Sequence, residues 1–263
     1  MQMLRMLVFL LVVTGGFTLS GLIGFGANVL SMPILSLFFP IQDLVLILAS
    51  ISFTNAAYRV VENRKGIIGK EFLKMMELTL PGTLLGLWIL KNLPEYWLKL
   101  TLGCFVAGIA SCNLYKRKSQ KAEQFRQKLA AETESRKDKI FYRIVLFAGG
   151  IMQGAFVCGG PLYLLYCSHY YGKDRLQFRG MQFAIILVNS SFIVLSYVWQ
   201  GVYTTPLILQ SGVGLLGLLA AVLISNAWLK QIGDIALQQL VQIMLLISGT
   251  SLVLQSVLKL FTR

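Results

Sequence analysis

Acid is scarce in this chain. There are 11 Asp and Glu in 263 residues, and a single histidine. No carboxylate lies in the middle of an apolar run; Glu77 comes closest, near a boundary. A membrane protein that carries a cation usually keeps an Asp or Glu within its spans, so a cationic substrate is disfavoured. His169, the one histidine, sits at a polar loop, and Ser20 and Ser31 have no His or Lys close in sequence. A membrane-embedded hydrolase therefore lacks an evident base, and no enzyme activity is expected. The four cysteines (Cys104, Cys112, Cys158, Cys167) fall in apolar runs without a CxxC or a histidine cluster. They read as small buried apolar residues, with no metal or cofactor site.

Charge in general is also low. A soluble domain carries about 25% charged residues, whereas this chain has 13%, with 56% hydrophobic residues and a mean hydropathy of +0.69. That describes an all-α polytopic membrane protein. The net charge of +13 does not point to nucleic acid, because ten of the 24 Lys and Arg lie between Lys116 and Arg143 without a nucleic-acid-binding motif. A basic segment beside spans records orientation and contact with anionic lipid. The N-terminal run resembles a signal peptide only in outline, and is read as a retained span.

What is present in excess is glycine, at two places. Gly15–Pro33, GGFTLSGLIGFGANVLSMP, interrupts the first apolar run, and Gly149–Pro161, GGIMQGAFVCGGP, interrupts a later one. A shift of 133 residues lays Gly16, Gly21 and Gly26 on Gly149, Gly154 and Gly159. Asn55 meets Asn189 at a shift of 134, and Gly66 meets Gly201 at 135. These landmarks divide the chain into a first repeat over 1–115, a basic linker over 116–139 and a second repeat over 140–263. About eight segments result, four in each repeat. From Met6 to Gln42 no residue is charged, and a straight helix of that length would reach about 54 Å against a hydrocarbon core of about 30 Å. The glycines must break it, as a kink or as two segments with a turn. Further spans are expected near 44–58, 76–90, 96–114, 182–198, 206–228 and 237–260. Gly82 and Gly86 give the span at 76–90 GxxxG spacing for close packing.

With eight crossings and the N-terminus inside, positive charges divide 18 inside to six outside; if the fifth segment folds back on itself, the division is 20 to four. The count does not separate these topologies, but both place Lys116–Lys139 in the cytoplasm.

An interrupted helix exposes backbone N–H groups where its next segment starts, and these suit an oxyanion. Paired breaks in two halves are also where transporters bind substrate. The expected substrate contacts are Ser20, Gly21, Gly24, Gly26, Asn28, Asn55, Gln153, Gly159, Gly160 and Asn189, with Arg179 at a span end. Taken alone, each polar residue is better suited to an interhelical hydrogen bond than to a ligand contact. The second half is expected to offer the more exposed amides, because Ala27 and Asn28 follow Gly26 where Gly159 is followed by a second glycine.

At these residues the sequence resembles the TauE/SafE family of sulfite exporters. The resemblance rests on Gly21-Leu-Ile-Gly24-Phe-Gly26 with Pro33, on Gly154-Ala-Phe-Val-Cys-Gly159-Gly160 with Pro161, and on Phe178-Arg179-Gly180 followed by Asn189. It implies a duplicated four-helix unit and ion-driven export of sulfite, thiosulfate or an organosulfonate. Partners would be a small anion, membrane lipids and a coupling ion, proton or sodium, with an oligomer open. A multi-pass plasma-membrane location of bacterial type follows. An anion channel and an accessory scaffold docking through the linker remain alternatives.

Overall fold

The computed structural model describes residues 2–23, 26–118, 136–228, 249–251, 253 and 254. The glycine Gly24, most of the basic linker and most of the span expected at 237–260 lie outside these residues. The described part is helical, with no strand. In chain order the helices are α1 (Gln2–Ile23), α2 (Ala27–Leu35), α3 (Ile41–Asn63), α4 (Gly69–Asn92), α5 (Glu95–Lys118), α6 (Arg136–Phe156), α7 (Gly160–Tyr171), α8 (Arg175–Trp199) and α9 (Thr205–Trp228). Four helical stretches among them, Ile41–Gly66, Gly69–Asn92, Arg175–Trp199 and Thr205–Ser225, are long and apolar enough to cross a membrane. α4 begins at Gly69, seven residues before the expected start at Met76.

The glycine segments are reversals, not kinks. α2 runs back along α1: Ser31 Oγ donates to the Val12 carbonyl, 3.3 Å, and the Phe9 and Phe39 rings meet edge to face at 6.1 Å. A Cβ at Gly16 would collide with Ser31 Oγ, so glycine is what lets the two helices close. The second half does the same. Gly149 packs under the Tyr163 ring, and Tyr142 near the start of α6 stacks on His169 near the end of α7, 4.2 Å between centroids. α2 has nine residues and α7 has twelve, lengths of about 14 and 18 Å, too short to cross a core of about 30 Å.

Packing alternates between the halves. α1 lies mainly on α9, α6 on α4, and α3 on α8. The α4–α6 contact is the tightest. A Cβ at Gly82 or Gly86 would strike the carbonyls of Phe147 or Ile151, and one at Gly150 or Gly154 would strike those of Thr79 or Thr83. Two GxxxG edges therefore face each other, and backbone meets backbone. α3 and α8 run antiparallel, with Gly180 against the Asn63 carbonyl and Gly66 against Leu176. Cys158 and Cys167 are buried as expected, whereas Cys104 on α5 is exposed; Cys112 lies outside the described side chains.

Gly86→Leu is expected to destabilise by about 1–3 kcal/mol or to prevent folding, since the backbone it meets cannot yield. Gly69→Ala, with open space around it, is expected to stay within about 0.5 kcal/mol of the wild type. Thermal melts in detergent check both, and equal melts would contradict the interlock.

Candidate functional site

The two reversals meet. Asn28, at the start of α2, donates from Nδ2 to the Val157 carbonyl, 3.0 Å, and to Ser52 Oγ, 2.7 Å. Cys158 Sγ in turn lies 3.4 Å from the Asn28 carbonyl. Between the breaks is a cavity of about 40 Å³, lined by Phe17, Ser20, Gly26–Val29, Ser52, Asn55, Gln153, Val157, Gly160, Phe183 and Ile186. A single water needs roughly 10–15 Å³ by this measure, so the space suits a small polyatomic ion.

Its depth follows from the helices that frame it. Ser52 is eleven residues from each end of α3, and Ile186 is eleven from the start of α8 and thirteen from its end. At 1.5 Å per residue this is about 16–20 Å from either end, close to the middle of a bilayer core.

Backbone conformation at both breaks is unusual. Gly26 caps α2 with φ +99°, a left-handed angle that a residue with a Cβ adopts only under strain. Val157 ends α6 at φ 55°, an outlier for a β-branched residue. Its N–H bonds the Gln153 carbonyl, the single 5→1 bond that closes a helix at a left-handed residue, and the Cys158 N–H reaches back to the Met152 carbonyl. Strain of this kind is stored where the surrounding structure fixes the geometry.

Among the described residues the lining is largely apolar, with Ser20, Asn28, Ser52, Asn55 and Gln153 as its polar side chains, and no Lys, Arg, His, Asp or Glu borders the cavity. Two of its side chains keep a donor free, whereas Asn28 has both amide protons engaged and its buried Oδ1 without a partner among the described residues. Ser52 accepts from Asn28, which leaves its own proton for the cavity. Gln153 accepts the Gly159 N–H at Oε1, 3.0 Å, and donates from Nε2 to Ser190 Oγ, 3.3 Å, keeping one amide proton spare. Ser20 is buried, and Asn55 is half-buried. Ser20 and Asn55 make no side-chain hydrogen bond among the described residues. The first turn of α2, Ala27–Val29, adds backbone N–H groups that have no partner within that helix. Together these can surround an oxyanion with neutral donors.

Of the residues singled out in the sequence, Ser20, Gly26, Asn28, Asn55, Gln153 and Gly160 line this one cavity. Gly159 sits beside it with its N–H taken by Gln153. Gly21 lies in α1, and Gly24 is outside the described residues. Asn189 is elsewhere, in a buried network. It accepts from Thr83 Oγ1, 2.9 Å, and donates to the Ile185 carbonyl, 3.0 Å, Thr79 Oγ1, 3.3 Å, and Tyr163 OH, 3.4 Å. Arg179 lies near the start of α8, within electrostatic reach of Arg175, Arg59 and Glu62 and outside the cavity. The amide balance runs opposite to the sequence expectation. Gly159 is capped and Pro161 has no N–H, so the first half supplies the open turn. Sequence reasoning missed Phe17, Ala27, Val29, Ser52, Val157, Phe183 and Ile186. Ser52 was within reach, since it sits three residues before Asn55 on the same helical face.

A family model described as sulfite exporter TauE/SafE matches residues 8–252. No curated protein and no solved structure matches the chain.

Two asparagines at matching positions give a direct comparison. Asn189→Leu leaves Thr79, Thr83 and Tyr163 without their shared partner and is expected to destabilise by about 1–3 kcal/mol. Asn55→Ala, which breaks no bond among the described residues, is expected to stay within about 0.5 kcal/mol. Thermal unfolding separates them, and an equal loss in both would contradict these roles.

Proposed function

Because the chain belongs to the sulfite exporter TauE/SafE family, we propose that it is a secondary membrane transporter that exports a small sulfur oxyanion or sulfonate through the cavity between its two halves. The observation that carries the reading is the cavity itself. It lies halfway along α3 and α8, where two helix breaks meet, and it offers hydroxyl, amide and backbone N–H donors with no carboxylate to repel an anion.

The halves are read as an inverted duplication. Ala27 opens α2 and Gly160 opens α7, again 133 residues apart, and α3 and α8 begin at Ile41 and Arg175, 134 apart. Gly66 and Gly201 both sit in the turn after those helices. Inverted repeats with broken helices at the midplane are a transporter architecture.

If both glycine segments enter and leave on one face, the N-terminus and the linker fall on opposite faces. The face bearing Arg59–Lys74, Lys116–Lys118, Arg136–Arg143 and Lys173–Arg179 is then strongly basic, and the other bears Arg5, Lys91 and Lys99 among the described residues. The positive-inside rule assigns the basic face to the cytoplasm, and the linker with it. The N-terminus is thereby outside, which differs from the inside placement assumed in counting eight crossings.

Protein reconstituted in liposomes is expected to move labelled sulfite with saturation and counterflow, which a channel would not show. Loss of one hydrogen bond to a charged ligand costs about 1.5–3 kcal/mol, so Ser20→Ala and Asn55→Ala are each expected to lower kcat/KM roughly tenfold or more. Undiminished flux in both variants would remove the cavity from the transport route.

A further inference from the structure

The cavity does not reach the cytoplasmic end of α3 and α8, and the residues between the two are unusual. Arg59 is one helical turn beyond Asn55, and its side chain is only 10% exposed. Its NH1 meets Glu62 Oε2 at 3.1 Å, and its guanidinium lies 5.4 Å from the Tyr58 ring centroid. One of five donors is thus used among the described residues. Gly180 packs against the Asn63 carbonyl, which brings the start of α8 onto the end of α3, and Arg59, Arg175 and Glu62 lie within electrostatic reach of Arg179. On α8, Gln182 stands between this group and the cavity, three residues after Arg179 and four before Ile186, spacings that share one helical face. Gln182 is fully buried, and neither its Oε1 nor its Nε2 has a hydrogen-bond partner among the described residues. A buried amide with both ends unpaired is a cost that native structures avoid unless something else fills the place.

We propose that Arg59, Arg179 and Gln182 form a second oxyanion site, about one helical turn from the cavity on its cytoplasmic side, through which the anion passes on its way in. Only the passage rests on the transport reading; binding at the cluster does not. The chemistry is that of a fork of guanidinium donors, which match a planar or tetrahedral oxyanion in two-point contacts, joined by an amide that can donate to it. Sulfite and a lipid headgroup phosphate share that chemistry, and the experiment must separate them.

Purified full-length protein in a neutral detergent, titrated calorimetrically with sulfite, is expected to show two binding steps. Asn55→Ala removes one. Arg179→Gln and Gln182→Leu each weaken the other roughly tenfold or more, the loss expected for a charge-assisted hydrogen bond. Gln182→Leu guards against misfolding as the explanation: replacing an unpaired buried amide by an apolar side chain is expected to hold or raise the melting temperature while affinity falls. An absence of sulfite binding, or a single step untouched by Arg179→Gln and Gln182→Leu, overturns the proposal. So does an Arg179-dependent step seen with phosphatidylglycerol and not with sulfite, which assigns the cluster to lipid. If the Arg179-dependent step is present and the Asn55-dependent one missing, this site stands and the reading of the central cavity falls.

Discussion

The hydrogen bond from Asn28 to the Val157 carbonyl joins the two places where this fold departs from continuous helix. In a hydrocarbon core no water is at hand for a freed N–H or C=O, so an interrupted helix must have its backbone groups met by protein. Here each break helps to satisfy the other. Asn28 of the first half serves a carbonyl of the second, and Gln153 closes the Gly159 amide beside it. Asn28 also fixes Ser52 as a donor toward the cavity. Removing Asn28 would therefore disturb helix ends, cavity lining and the contact between halves together.

That constraint explains why the cavity is neutral. On the proposed reading, a fixed cation at the midplane would be costly to hold whenever the anion is absent. Several neutral donors give up less when the ligand leaves, and they can still replace much of an oxyanion's hydration shell. Arg175 and Arg179 lie instead near the start of α8, where the heads of long side chains can reach water, and Arg59 is buried beside Glu62 near the end of α3. The glycines divide between two duties. Gly16, Gly149, Gly150 and Gly154 bring backbones together, while Gly26 and Gly160 border the cavity.

Much of this was legible in the sequence because glycine spacing at a common shift is a strong periodic signal. The breaks at Gly26 and Gly159 and the convergence of Ser20, Asn28, Asn55 and Gln153 both follow from it. Whether a broken helix kinks or reverses was not legible, since glycine permits either and the choice is made by distant contacts such as Phe9 with Phe39. The different fates of Asn55 and Asn189 were equally hidden. The residues match in sequence, but only Asn189 meets Thr79 and Thr83 on a neighbouring helix. Phe17 and Phe183 carried no mark among 16 phenylalanines, and Val157 gave no sign of its left-handed backbone.

The most direct test of a neutral-donor anion site at the meeting of two reversed helices is a cryo-electron microscopy structure of the protein with sulfite bound. The account predicts anion density between the first turn of α2 and α8, within hydrogen-bond distance of Asn55 and Ser20. A cavity filled by a lipid chain, or left without density while the same preparation transports sulfite, would contradict it.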